Sequence, residues 1–254
     1  MKNNIFFLFL LSIILACGST NKSSTLNAVA IRWSIPLVNP ADGSLQKMAD
    51  SCYLYYLDSL VLIRVPYAHT EYSYGKINDT KTNRDTTSVI KKETKFKNYI
   101  FKKDNPFGLQ FETITSISFQ RFNVDSLLKA KTFKGVRFYN EVNDTLVESI
   151  KISDEILLEK YIPKTKIDES YSDSTYLYLN SDLNGINYTL SKQIDSLKKK
   201  KLYQVKYIYN EIPNGISGHV TLPKREFIFS FTEMRVENQI EIINFFNRFK
   251  KYSK

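Results

Sequence analysis

A chain of 254 residues, 43% of them hydrophobic and only two of them cysteine, is long enough to bury a core without disulfide stapling. Its formal charge of +10 is spread along the whole length, which suits solubility and attraction to anionic surfaces and speaks against a nucleic-acid groove. With His69 and His219 as its two histidines, and no Gly-x-Ser-x-Gly, phosphate-binding glycine loop or dinucleotide fingerprint, the sequence argues against a three-histidine zinc site, serine-hydrolase chemistry and nucleotide chemistry.

The N-terminus reads as an export signal. Lys2 supplies a short basic region, and Ile5 to Ala16 form an apolar stretch broken by Ser12. That stretch is well short of the ~20 residues a stable transmembrane helix needs. It ends Ile14-Leu15-Ala16-Cys17, which resembles the lipobox of bacterial lipoproteins: an aliphatic residue three positions before the cysteine, a small one directly before it, then the cysteine. The resemblance covers about the first twenty residues. It implies diacylglyceryl transfer to the Cys17 sulfur, cleavage of residues 1–16, and acylation of the new amino group by a fatty acid such as palmitate. Several acyl chains on one residue anchor stably, since each buried methylene adds ~0.8 kcal/mol. The chain is therefore expected in the cell envelope, held to a membrane by its lipid. Gly18 is not the aspartate that retains some lipoproteins in an inner membrane, which favours the outer one. Polar residues after Cys17 read as a tether over 17–27, followed by a single β-rich domain over 28–254.

Along the domain, Ala28 to Leu37 alternates apolar and polar residues as a strand does. Cys52 to Val65 is a long apolar run in which Asp58-Ser59 marks either a hairpin turn or an irregularity within one strand. Tyr67 to Tyr74 continues it, and the polar stretch Asn78 to Thr87 reads as an exposed loop. Strands are expected at Ser88 to Phe96, Asn98 to Lys102, Leu109 to Ile114 and Ser116 to Phe122. Asn123 to Lys131 has helical spacing behind an Asn123 cap. Strands return at Gly135 to Asn140, Thr145 to Ile152 and Ile156 to Ile162, before an acidic loop over Ile167 to Ser174. Asn184-Gly185 predicts a type I′ turn between strands Thr175 to Asn180 and Ile186 to Leu190. Ser191 to Lys201 predicts a second helix, and Leu202 to Ile212 and Arg225 to Thr232 two more strands. From Val236 to Tyr252 the chain predicts an amphipathic helix, with Glu237, Glu241, Asn244, Arg248 and Lys251 on its polar stripe and isoleucines and phenylalanines elsewhere. The fold class that follows is α+β: a mostly antiparallel, twisted or curled β-sheet with the C-terminal helix packed on it.

Candidate chemistry is sparse. Neither histidine sits in a metal-spaced motif, and Cys52 reads as a small buried strand residue, so no catalytic residue, metal or cofactor is expected. The run Asn180 to Gly185 partly resembles a calcium loop, but Asn180 replaces the first acid and Ser191 the bidentate glutamate. Carboxylates at Asp154, Glu155, Asp168, Glu169 and Asp173 leave room for a glycosidase-like pair. Tyrosines form a further candidate surface for a ligand or partner: Tyr53 and Tyr55 share one face of their strand, and Tyr176 and Tyr178 one face of theirs. An export signal without a catalytic motif points to an envelope lipoprotein that binds a protein, lipid or glycan, or supports an assembly; the alternative is a carboxylate-dependent hydrolase of an envelope polymer.

Overall fold

The computed structural model describes residues 25–79, 82–130, 143–166, 171–216 and 220–252, with side chains described for all of these except 74–79, 82–87, 129–130 and 216. The signal segment with Cys17, the expected strand over Gly135 to Asn140, Asp168, Glu169 and His219 lie outside the described residues.

Alternation of apolar and polar residues gives strands β1 (Asn27–Val38), β2 (Leu45–Leu57), β3 (Leu60–Asp79), β4 (Thr82–Lys102), β5 (Phe107–Phe111) and β6 (Gln120–Asn123). Helix α1 (Val124–Ala130) follows, opened by Asn123, whose side-chain oxygen accepts from the Ser126 N–H at 2.9 Å. The second half holds β7 (Asp144–Lys151), β8 (Ile156–Pro163), β9 (Ser174–Asn180), α2 (Lys192–Lys198), β10 (Lys201–Tyr209), β11 (Ile212–Ile216), β12 (Val220–Leu222), β13 (Arg225–Glu233) and α3 (Gln239–Tyr252).

Eleven strands make one open antiparallel sheet in the order β6-β5-β4-β3-β2-β1-β13-β10-β9-β8-β7, and β11 pairs with β12 apart from it. The two halves of the chain meet at the sheet's centre, where β1 lies against β13 with Ile31 opposite Phe231. Both faces of that centre are buried. On one face Ile31, Cys52, Leu54, Ile63, Leu177, Leu179, Val205 and Phe231 form a core closed by α1 and by the 182–198 segment carrying Tyr188, Leu190 and Ile194. On the other, α3 presses Ile242, Phe245, Phe246 and Phe249 onto Ala28, Tyr55, Leu62, Ile100 and Phe111. Each fully buried side chain of that size contributes roughly 1.5–3 kcal/mol. The expected mostly antiparallel sheet with a packed C-terminal helix is the fold observed.

Several local expectations need correction. Asn78 to Thr87 is not a loop: β3 runs to Asp79 and β4 starts at Thr82, paired from Leu60↔Lys102 out to Asp79↔Thr82. Asn184-Gly185 does not turn a hairpin. Residues Asp182–Gly185 form a short 3-10 helix, and Ile186 to Leu190 is not a strand. The reason is topological: β9 already has β8 on one edge and β10 on the other, so no free edge remains for a strand over 186–190. The calcium-loop likeness falls with it, since Ser191 is the N-cap of α2 and accepts from the Ile194 N–H at 3.4 Å. Strand β5 ends at Phe111 and β6 begins only at Gln120, because residues 112–119 leave the sheet to run beside α3. Ile240, placed with the apolar residues of the last helix, is 78% exposed.

Candidate functional site

The Asp58-Ser59 turn, closed by the Leu57↔Leu60 pair with Asp58 at φ 54°, fixes which side chains of β2 and β3 face inward. Leu54 and Tyr56 from β2, Val61 and Ile63 from β3, and Phe101 from β4 then pave one stretch of the sheet. Helix α1 stands over one side of this floor with Val124 and Leu128, and the extended segment before α2 stands over the other with Tyr188. Between them lies a groove of about 690 Å³, within the size range of small-molecule sites. Its floor and walls are apolar. Its rim carries Lys103 and Lys192 together with Asp104 and Asp125.

Two phenols belong to this groove. Burial pushes the pKa of Tyr56 and of Tyr188 up, with the Cys52 thiol nearby adding to both, so each stays neutral. The Lys103 ammonium lies 5.7 Å from the Tyr56 ring centre, a cation-over-ring geometry that draws one rim charge toward the floor. Tyr188 packs edge-on to Phe231 at 5.4 Å and is thereby fixed to the sheet. Such a lining offers dispersion contacts, neutral hydroxyls and a charged mouth.

A second cluster lies far out on the β3–β4 ribbon, where His69 stands opposite Glu93 and two residues from Glu71. Their ligating atoms all lie within 4.8 Å of one another, close enough in space to hold a cation. Glu93 is already engaged, however, with Lys91 at 2.7 Å and Lys95 at 3.0 Å. Hydrogen bonds from Lys91 and then Lys95 lower its pKa to about 2. A carboxylic acid catalyst needs the opposite shift, so Glu93 is not suited to be the proton donor of a glycosidase-like pair. Only strand register, which residue spacing does not reveal, brings Glu93 beside His69.

No family model and no curated protein matches the chain.

The tyrosine surface is divided by the fold. Strand register puts Tyr53, Tyr55, Tyr176 and Tyr178 on the same side of the sheet, the side that carries α3. Between the two pairs lie β1, β13 and β10, a gap of roughly 19 Å at the usual strand spacing. Tyr55 is buried beneath α3, and Tyr53 is half-buried with its ring 5.8 Å from Phe96. Tyr176 and Tyr178 are half-buried on β9, where Lys160 and Lys206 lie 5.6 and 5.1 Å from the Tyr176 ring and Tyr203 lies 6.3 Å from Tyr178. Of the acidic candidates, Asp154 pairs with Lys151, Glu155 accepts from its neighbour Ser153 at 2.9 Å, and Asp173 binds Lys166 at 3.0 Å. Among the described residues, no helix is long and apolar enough to cross a membrane.

Proposed function

We propose that the protein is a membrane-anchored envelope lipoprotein of non-catalytic type, held by acylated Cys17, whose groove between the sheet and α1 binds a ligand with an apolar body. The observation that carries this reading is the groove: a floor of Leu54, Tyr56, Val61, Ile63 and Phe101, walled by Val124, Leu128 and Tyr188. Apolar area removed from water stabilises such a complex, and the rim charges orient the polar end of the ligand. The export signal agrees with it, because a lipid-tethered protein works where amphiphiles and envelope polymers are concentrated.

Displacement of an environment-sensitive fluorescent fatty acid tests the groove. The mature chain is expected to bind the probe, and Leu128→Trp, which fills the space between α1 and the floor, is expected to weaken binding at least tenfold while thermal stability stays near the parent value. Equal binding by parent and variant would sink the assignment. Metabolic labelling with a palmitate analogue tests the anchor separately, with label expected on the parent and absent from Cys17→Ala.

A further inference from the structure

We infer that the flank formed by α3 and the 112–119 segment is a membrane-contact face that lies against an anionic bilayer beside the lipid anchor. The inference rests on the lipoprotein reading for its orientation and on the structure for its chemistry. Thr25, where the described chain begins, borders the same trough as Ile114, Arg235, Ile240 and Arg248. Cys17 is eight residues before Thr25, a reach of at most about 28 Å, so whatever surrounds Thr25 is held close to the lipid.

That surroundings is unusually apolar for a surface. Ile117 and Ile240, each 78% exposed, are the most exposed large hydrophobic side chains among the described residues. Ile240 lines the trough, and Ile117 follows Thr115, which also lines it, by two residues. Arg248 ties the 112–119 segment to α3 by donating to the Ile114 and Thr115 carbonyls. Further along, Phe119 meets Tyr252 at 5.3 Å, leaving both rings nearly half exposed. Lys250 and Lys251 close the helix beside Tyr252, and Lys251, eleven residues after Ile240, falls within about 20° of it around the axis. Tyr252, twelve residues after Ile240, stands about 120° from it, so Ile240 and Lys251 share one stripe and the aromatic pair borders it; exposed aliphatic residues, aromatics and lysines are the composition of an interfacial surface. Glu237, two residues before α3, and Glu241 in its first turn line the same trough and keep the charge modest, so insertion of the apolar side chains dominates and the lysines add to it.

Flotation with vesicles of phosphatidylethanolamine and phosphatidylglycerol tests the face without the anchor, using the mature chain from residue 17 with Cys17→Ser. Binding is expected to be measurable, to fall roughly tenfold for each of Ile117→Asp and Ile240→Asp, and to weaken at high salt. Leu197→Asp, at a leucine of α2 that is 59% exposed, is expected to change nothing, and circular dichroism is expected to show all variants folded. Vesicle binding unaffected by both isoleucine changes, or no binding by the parent, would overturn the face. Concentration-dependent dimerisation abolished by the same two changes would assign it instead to a second copy of the chain. Loss of palmitate labelling with vesicle binding retained would overturn the anchor and leave the face standing.

Discussion

Glu159 carries a carboxylate into the core, 3% exposed, because two donors meet it there: the Lys198 ammonium at 2.7 Å and the Tyr161 hydroxyl at 2.8 Å. Lys198 is itself one-fifth exposed, so the pair is only partly shielded from water and its desolvation is correspondingly incomplete. Replacing Lys198 with methionine strands the carboxylate and is expected to cost about 2–3 kcal/mol, read by urea unfolding; adding Glu159→Gln should recover part of that loss, and no recovery would show that the lysine acts through packing alone. The buried phenols make a second residue-scale prediction. Burial raises the pKa of Tyr56, Tyr188 and Tyr207 above the ordinary phenol value of about 10. Below pH ~10 the support they give the fold is complete; as the pH rises past that point the unfolded chain releases protons that the folded one keeps, and stability falls. Phenolate absorbance from these three should therefore appear together with loss of circular dichroism, and Tyr56→Phe with Tyr188→Phe should make the alkaline decline shallower. Phenolate forming in an intact fold would contradict this.

Elements whose apolar side chains meet a core were legible in the sequence, and those without a core were not. Helix α3 was visible because Ile242, Phe245, Phe246 and Phe249 recur at helical spacing and bury on one line. Phe246, fully buried, is expected to cost about 3–5 kcal/mol when replaced by alanine, measured by thermal unfolding. The outer ribbon of β3 and β4 was hidden for the converse reason. Past Arg64 no further pairing to β2 is found, and past Asn98 none to β5. A two-stranded ribbon is held by its backbone pairing and needs no apolar face to form, so polar residues there do not signal a loop. Turn chemistry misled in a similar way. Asn184-Gly185 can adopt a tight turn, but the occupied edges of β9 decide against a hairpin, whereas Asp58-Ser59, a weaker signal, turns one because β2 and β3 have free edges to share. At Asp58, φ 54° makes Asp58→Gly nearly neutral and Asp58→Val costly by about 1–2 kcal/mol. The groove was legible only as apolar runs. Its walls come from segments that no local pattern assigns to one place.

At the scale of the whole molecule, the sheet carries different work on its two faces: one holds the groove under α1, and the other holds α3 and the flank beside Thr25. Removing α3 by ending the chain at residue 236 would uncover Tyr55, Leu62, Ile100 and Phe111 together, and is expected to leave a chain that binds hydrophobic dyes and aggregates, while a compact, dye-silent product would show that α3 is dispensable to the fold. The pairing of β1 with β13 sets the order of events as well. A ribosome delivers the first strand of this sheet some 190 residues before the strand that completes its pairing, on the order of ten seconds or more at ordinary synthesis rates. Cys52, fully buried beside Ile31 in the finished protein, stays reachable for that interval and gives it a chemical clock: with Cys17→Ser removing the other thiol, a thiol reagent should modify nascent chains that end before Arg225 and spare the released full-length chain.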